Sequence, residues 1–292
     1  MPQFLLGLIL GVLIAFLAWK AGSLSNSGAW AAALTGWWIF GLGGVSWAIL
    51  LLAFFVSSSA LSRMFHTRKA AVQEKFSKGA RRDWEQVLAN GGLGIVLVIL
   101  YALLPATGSC FTGSCLTGSS LSGGRLQAWL WVGYVGMMAA VNADTWATEI
   151  GILSAAEPRL ITWWKNGGQT VDKGTSGGIT LLGTLAALAG AGLIALLGAL
   201  LKPPLGSTFV FLCATTLGGL VGSLFDSFLG ATVQAIYYCP VCAKDTERTP
   251  RHTCGNETVF LRGWRWMNND WVNVLCALVG ALVAMGVMWN YW

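Results

Sequence analysis

Long apolar stretches recur along the whole chain and restrict the folds that it can adopt. A helix needs about 20 mostly apolar residues to cross a bilayer. Only 10% of the 292 residues are charged, whereas soluble domains carry about 25% charged residues. The sequence therefore predicts an all-α, polytopic integral membrane protein that forms a single transmembrane domain over 1–292, with about eight transmembrane helices. The predicted spans are about 4–20, 28–43, 45–61, 87–104, 127–151, 176–201, 207–236 and 271–290.

The basic residues are concentrated in three of the connecting loops. Loops 62–85, 157–175 and 237–266 contain fifteen of the eighteen Lys and Arg residues. The positive-inside rule places these loops in the cytoplasm and both termini outside. The net charge of +6 is explained by topology and contact with anionic lipids. No basic surface interleaved with aromatic residues indicates a nucleic-acid partner.

The first apolar stretch is expected to remain in the protein as a helix. It lacks the basic n-region and the small-residue cleavage site of a signal peptide. Nothing in the sequence resembles an Arg- and Ser-rich transit peptide. We therefore expect a multi-pass protein of a prokaryotic inner (cell) membrane.

Two of the connections have distinctive compositions. In segment 62–85, aromatic and aliphatic residues alternate with Arg and Lys, which indicates a cytoplasmic amphipathic helix at the membrane surface. The predicted outer loop 105–126 is rich in Gly, Ser and Thr and contains Cys110 and Cys115. These two cysteines form either a disulfide or two free thiols.

Three acidic residues lie inside stretches that otherwise read as membrane spans. Asp144 and Glu149 belong to A-A-V-N-A-D-T-W-A-T-E-I-G, and Asp226 belongs to G-S-L-F-D-S-F-L-G-A-T-V-Q. Even on lenient scales, an acid at the membrane centre costs on the order of 3 kcal/mol. Such residues are rare without a function, so these three are the first candidates for a functional site. The alternative for any one of them is a hydrogen bond to a neighbouring helix.

Other polar residues are predicted to lie at the same depth as the acids. When the spans are oriented by their loops, five of them bring polar groups near the inner face. This convergence predicts a polar site at the cytoplasmic face. Besides the three acids, the candidates are Arg82, Gln86, Asn90, Asn142, Thr145, Ser227, Gln234, Asn269, Asp270 and Asn273.

Helical spacing separates the two acids of the fifth span. Ser223, Asp226, Ser227 and Gln234 fall within roughly 100° of arc, so the seventh span has one polar stripe. Asp144, in contrast, points about 140° away from Glu149 on a straight helix. Either the helix breaks between them or the two acids serve different neighbours.

The run Lys173-Gly-Thr-Ser-Gly-Gly178 precedes the sixth span. Thr175 or Ser176 is a good helix N-cap, and a flexible capped loop is one interpretation. The other is a phosphate site, because a Gly-rich turn that opens a helix presents N–H groups and a positive dipole end. Lys173 would add a charge to this cradle. Carboxylates beside basic and Gly-rich elements suit Mg²⁺-bound polyphosphate, since Mg²⁺ takes one or two carboxylates plus phosphate oxygens.

Four potential metal ligands lie in the cysteine-containing loop 237–266. They follow the spacing C-x₂-C-x₉-H-x-C, which fits a tetrahedral zinc site. Such a zinc would be structural, because it would stabilise a loop without a core of its own. The alternative is a set of free thiols and an imidazole in a mobile loop. The four residues are Cys239, Cys242, His252 and Cys254.

Six motifs together resemble the integral membrane family known as domain of unknown function 92. The resemblance runs from about residue 28 to 290, and the cysteine loop is not shared by all members. The family includes transmembrane protein 19 and the phytyl-phosphate kinases of phototrophs. The motifs are Ser27-Gly28-Ala29, R-x-x-x-Q-V-x-A-N-G (82–91), N-A-D-T-W-A-T-E-I-G, K-G-T-S-G-G, G-S-L-x-D-S-x-L-G-A-T-V-Q and N-N-D-x-V-N (268–273).

This resemblance implies a kinase that uses CTP or another nucleoside triphosphate to convert an isoprenyl monophosphate to the diphosphate. Asp144, Glu149 and Asp226 would hold Mg²⁺ and the nucleotide phosphates, with Asp270 as a further candidate. Lys173 with Thr175, Ser176 and Gly177 would cradle phosphate. The remaining substrate-binding candidates are Arg82, Gln86, Asn90, Asn142, Thr145, Ser227, Gln234, Asn269 and Asn273.

An ion-coupled transporter is the alternative function, with the buried carboxylates as coupling sites. Transporter sites usually lie near the membrane midplane between repeats, whereas the polar groups here favour one side. A membrane scaffold would leave the buried acids without a purpose.

Overall fold

A computed structural model describes residues 2–65, 75–76, 81–104, 119–162, 168, 170–289 and 291. Within these residues the chain forms eight helices, as the sequence predicts. Six of them, all except α2 and α5, are long and apolar enough to cross a membrane. The helices are α1 (Pro2–Lys20), α2 (Asn26–Gly43), α3 (Val45–Met64), α4 (Trp84–Leu103), α5 (Ser119–Gly151), α6 (Leu181–Leu201), α7 (Thr208–Thr232) and α8 (Asn269–Trp289).

Helix α5 forms the centre of the bundle. It packs against α3, α4, α6, α7 and α8, and residues 130–143 are all buried. Surrounding helices shield α5 from lipid, so it can carry more polar residues than a lipid-facing span. The prediction of an all-α polytopic membrane protein is confirmed.

Glycine allows α5, α7 and α8 to approach closely. A Cβ atom on Gly280 of α8 would lie 2.8 Å from the carbonyl oxygen of Gly136 in α5. One on Gly218 of α7 would lie 2.6 Å from the carbonyl oxygen of Gly280. Small residues at helix contacts are a main source of packing energy in lipid. Helix α1 packs against α2 in the same way, through Gly7, Gly11, Ala15 and Ala18.

The loops rich in Lys and Arg all lie at one end of the bundle. Helices α3, α5 and α7 end there, and α4, α6 and α8 begin there. The turn between α1 and α2 joins this end, because Arg82 N donates to Ser23 O and Ser25 N donates to Arg82 O. We call this end, with its loops 65–83, 152–180 and 233–268, the basic end.

In the described part of the basic end, five short strands form two small sheets. Strands β1 (Arg159–Leu160) and β2 (Gly178–Ile179) pair antiparallel in the loop between α5 and α6. Strands β3 (Ile236–Cys239), β4 (Lys244–Thr246) and β5 (Val259–Arg262) form an antiparallel sheet in the order β4-β3-β5. Most of the predicted amphipathic segment 62–85 lies outside the described residues, as do Cys110 and Cys115. Residues 62–64 form the last turn of α3.

Candidate functional site

A cavity of about 290 Å³ lies at the basic end of the bundle. Helices α3 to α8 and all three loops of that end contribute to its walls. Most of the polar residues that the sequence places at this depth line it. These are Arg82, Gln86, Asn90, Asp144, Thr145, Glu149, Lys173, Thr175, Ser176, Gly177, Asp226, Ser227, Gln234, Asn269 and Asn273.

Asp226 lies on the side of the cavity formed by α7. Its carboxylate is within electrostatic range of Asp144 on α5 and of Glu247 in the loop after β4. Its Oδ2 atom is shielded from solvent and accepts no hydrogen bond from the described residues. Carboxylates gathered around such an oxygen are suited to a cation, which would offset their mutual repulsion.

Glu149 faces a different set of neighbours from Asp144. Ser62 Oγ on α3 donates a 2.6 Å hydrogen bond to Glu149 Oε1, and the Arg82 guanidinium lies within electrostatic range. Helix α5 continues without a break to Gly151. Of the two explanations offered by helical spacing, the second therefore holds, and the two acids line different parts of one wide cavity.

Arg82 is fixed by contacts from α3. Its guanidinium donates to Ser58 Oγ at 2.9 Å and to Ser59 Oγ at 3.1 Å. It also lies 5.7 Å and 5.5 Å from the ring centroids of Phe54 and Phe55. Burial lowers the pKa of Arg82 to about 10, and Glu149 opposes this shift. The guanidinium is therefore charged at neutral pH and held in one place.

The turn between α1 and α2 brings Arg82 into position. The Arg82 backbone pairs with this turn, and a Cβ atom on Gly28 would overlap the Arg82 carbonyl oxygen. Only glycine at position 28 permits this approach. This contact gives a structural reason for the Ser27-Gly28-Ala29 motif, which lies outside the cavity.

Lys173 lines the cavity while it caps the end of α5. Its Nζ atom donates to the carbonyl oxygens of Ser154 at 2.7 Å and of Ile152 at 3.3 Å. A lysine ammonium has three N–H donors. One donor thus remains for a ligand, on a side chain held by the other two.

The Gly-rich run does not itself open α6, and the prediction of Thr175 or Ser176 as its N-cap is wrong. Gly178 instead begins β2, and α6 starts at Leu181 with Thr180 as N-cap. Thr180 Oγ1 accepts from Gly183 N at 3.0 Å. Since Thr180, Gly183 and Thr184 line the cavity, the N-terminus of α6 still faces it, a few residues later than predicted.

The Gly-rich run also packs tightly against α7. Gly177 has a φ of 83°, and a Cβ atom there would overlap the backbone nitrogen of Ala231. Ser176 Oγ donates to Glu247 Oε1 at 2.6 Å. The run therefore joins α7 to the loop that carries Glu247.

Two of the predicted substrate-binding residues do not line the cavity. Asn142 is fully buried, where its Nδ2 donates to Gly190 O and its Oδ1 accepts from Ser57 Oγ. It joins α5 to α6 and α3. Asp270 lies in the first turn of α8, where Asn269 and Asn273 line the cavity and Asp270 does not.

The structure adds lining residues that the sequence did not indicate as site residues. Ser62, Thr180, Thr184, Ser223 and Glu247 all line the cavity. Ser223 is on the polar stripe of α7 and was therefore accessible from helical spacing. Glu247 lies in a loop, where helical spacing and depth give no information.

The four ligand candidates of the cysteine loop form one cluster. The ligand atoms of Cys239, Cys242, His252 and Cys254 all lie within 4.8 Å of one another. The Sγ atoms of Cys239 and Cys254 are 3.6 Å apart, close to the separation of about 3.8 Å for two sulfurs bound tetrahedrally at about 2.3 Å from zinc. This cluster could hold a metal ion such as zinc.

Hydrogen bonds divide the thiols of this cluster into two kinds. Bonds from Asn256 first, and then from His252, lower the pKa of Cys254 to about 6. The pKa of Cys242 is raised to about 11, chiefly by its hydrogen bond with Cys254. A thiolate at Cys254 is the form that binds metal.

Comparison with known proteins identifies the family. A family model described as integral membrane protein DUF92 matches residues 9–281. The chain belongs to this family. The match includes every residue that lines the cavity, so the cavity lies within the part of the chain that the DUF92 family shares.

Several curated proteins are similar over most of the chain. Protein PGR of Arabidopsis thaliana is 39% identical over 251 residues, which are 82% of this chain and 83% of the relative. An uncharacterized membrane protein of Methanocaldococcus jannaschii is 35% identical over 75% of this chain and 78% of its own length. Protein VTE6, chloroplastic, of Arabidopsis thaliana is 27% identical over 90% of this chain and 64% of its own length. No solved structure matches.

Proposed function

We propose that the protein is a membrane-embedded kinase that transfers phosphate from a nucleoside triphosphate to an isoprenyl monophosphate. The observation that carries the proposal is the cavity at the basic end, which is lined by carboxylates together with Arg82 and Lys173. CTP as donor and phytyl phosphate as acceptor follow from the resemblance of the motifs to phytyl-phosphate kinases.

The reaction needs charge neutralisation and alignment more than proton transfer. An oxygen of the acceptor monophosphate attacks the γ-phosphorus of the nucleotide. The bond from that phosphorus to the β–γ bridging oxygen breaks, and the nucleoside diphosphate leaves with the electron pair. Since the acceptor oxygen is already anionic, no strong general base is required.

The cavity suits a Mg²⁺–nucleotide complex. Asp226, with its shielded Oδ2, and Asp144 beside it would hold the cation, and Glu149 would contribute from the other wall. Bound Mg²⁺ would neutralise phosphate charge and hold the nucleotide's oxygens in place. The carboxylates of the chain bind and orient this complex.

Basic groups and helix N-termini would bind the phosphates themselves. Arg82 presents a fixed fork of donors, the geometry that suits a phosphate monoester. Lys173 would contribute its remaining donor to the same phosphates. The N-terminus of α6 at Thr180 adds a partial positive charge toward the same cavity.

The location at one end of the bundle supports an enzyme more than a carrier. By the positive-inside rule the basic end is cytoplasmic, in a prokaryotic inner membrane. A soluble nucleotide would enter from the cytoplasm, while the isoprenyl chain stays in the bilayer with its phosphate at cavity depth. An ion-coupled carrier would instead need a site near the midplane that is open in turn to both sides.

We further propose that the Cys₃His cluster binds zinc in a structural role. The distances between its ligand atoms fit tetrahedral coordination, and a loop with few buried residues gains stability from a metal. Metal analysis of the purified protein should give about one zinc per chain.

A substrate panel tests the kinase. Purified protein would be incubated with Mg²⁺, each of CTP, ATP, GTP and UTP, and phytyl, geranylgeranyl or farnesyl phosphate. We expect a diphosphate product with at least one pair. Absence of turnover and of nucleotide binding across the panel would contradict the proposal, whereas substrate flux in proteoliposomes without nucleotide would support a transporter.

A further inference from the structure

Glu247 connects all three loops of the basic end. Its Oε1 atom accepts from Ser176 Oγ at 2.6 Å and from Gln234 Nε2 at 2.9 Å. Its backbone nitrogen donates to Lys75 O at 2.9 Å. These partners lie in the loops after α5, α7 and α3, respectively.

The same carboxylate lies beside the buried acids. Glu247 lines the cavity and is within electrostatic range of Asp226. Ser176 and Gln234 both donate to Oε1, which orients the carboxyl group. A third acid placed next to Asp144 and Asp226 would raise their mutual repulsion unless a cation shares the site.

The Cys₃His cluster flanks the segment that carries Glu247 on both sides. Glu247 directly follows β4, whose pairing with β3 is closed by the turn Cys239-Pro-Val-Cys242. Cys242 lies five residues before Glu247, and His252 lies five residues after it. Both ends of the segment that carries Glu247 are therefore attached to one Cys₃His cluster.

Besides the hydrogen bonds of Glu247 and the pairing of β4 with β3, few buried side chains hold this segment in place. Thr246 and His252 are the buried residues between Lys244 and Glu257, and His252 is itself a ligand candidate. A segment without an apolar core takes its order from the metal. Loss of the metal would therefore release Glu247 from the cavity, while the transmembrane helices stay packed.

We propose that Glu247 is a further carboxylate of the cation and nucleotide site, and that metal in the Cys₃His cluster positions it there. This proposal rests on the proposed function, because it assigns Glu247 to the same cavity. In this chain the cysteine loop would then add affinity to the cation site by positioning Glu247.

The test measures Mn²⁺ binding to zinc-loaded, full-length protein in detergent by electron paramagnetic resonance. In Glu247→Gln, which keeps an acceptor for Ser176 and Gln234, we expect the Mn²⁺ Kd to rise about tenfold with unchanged zinc content. The matched control is Glu257→Gln, an exposed glutamate of the same loop, which should bind Mn²⁺ like the wild type. Equal Kd values for the two variants would overturn the assignment of Glu247.

The positioning role is tested through the metal. Cys239→Ser should lose zinc and show the same rise in the Mn²⁺ Kd as Glu247→Gln. Should this variant misfold, zinc would be removed from folded wild-type protein with a chelator, with helix content checked by circular dichroism. Zinc loss without any change in the Kd would overturn the positioning role. Mn²⁺ binding does not require turnover. If the substrate panel shows no turnover but the Kd shifts occur, the kinase proposal is refuted and the assignment of Glu247 stands.

Discussion

The two ends of the helix bundle differ in the partners that surround a half-buried charged side chain. At the end opposite the cavity, Lys202 donates a 2.6 Å hydrogen bond to Tyr101 Oη. Its ammonium also lies 4.3 Å and 5.7 Å from the ring centroids of Tyr101 and Trp131. At the basic end, Asp226 keeps a shielded oxygen with no donor among the described residues. A charge enclosed by its own neighbours stabilises the fold, whereas a charge directed at a cavity is available to a ligand.

Neutralising the charge at Asp226 should have the largest effect. Asp226→Asn keeps the shape of the side chain but removes the charge proposed to hold the cation. We expect kcat/KM to fall by at least about 10²-fold, measured with the best substrate pair of the panel. Glu157→Gln, the same loss of charge at an exposed position, is the control. A fall of similar size in both variants would mean that Asp226 has no special role.

The next largest effect is expected from Arg82→Lys. Lysine retains the charge but lacks the planar guanidinium. It therefore cannot contact Ser58 and Ser59 and present a fork of donors to phosphate at the same time. We expect KM for the isoprenyl phosphate to rise about tenfold, with a smaller change in kcat. Its exposed neighbour Arg81 provides the control, as Arg81→Lys. Unchanged KM in Arg82→Lys would assign Arg82 to structure alone.

Gly177→Ala should damage the basic end through its backbone. The new Cβ would meet the Ala231 nitrogen, and φ is 83°. We expect a destabilisation of about 2 kcal/mol, measured by thermal unfolding. Gly168→Ala has a similar φ of 78° but no atom of the described residues within 4 Å of the new Cβ, and should lose only about 1 kcal/mol. Equal losses would show that packing against α7 contributes nothing.

Lys202→Met should have the smallest effect and should not alter catalysis. It removes a hydrogen bond and a cation–π contact, which together are worth about 1 kcal/mol. The melting temperature should fall slightly, while kcat and KM keep their wild-type values. A change in KM would contradict the view that Lys202 has a structural role and that the ligand-binding charges lie at the basic end.

The sequence predicts much of the cavity because membrane topology converts position along the chain into depth. Loop charge sets the orientation of each span, and the rise of about 1.5 Å per residue sets the depth of each polar group. Asp144, Asp226 and Asn273 were placed at one level in this way, although they are far apart in sequence. The depth of a residue does not give the direction in which its side chain points. Asn142 was therefore included among the site residues, although it faces α6.

The remaining parts depend on contacts that helical periodicity does not encode. The β3–β4 hairpin places Glu247 at the cavity. The spacing of the cysteines does not specify how these two strands pair. The Gly-rich run was assigned to the start of α6. Gly178 instead pairs with Leu160 in the β1–β2 ladder, and α6 therefore begins only at Leu181. Asp144 and Glu149 have different neighbours on the unbroken helix α5, but a single helix could not show that both line the same cavity.

The contact between Gly28 and the carbonyl of Arg82 has a consequence for how natural variants should be interpreted. Gly28 lies on α2 and does not line the cavity. Any larger side chain there would displace the backbone that carries the arginine. A substitution at position 28 would therefore move Arg82, and so alter the cavity, from a residue that does not line it.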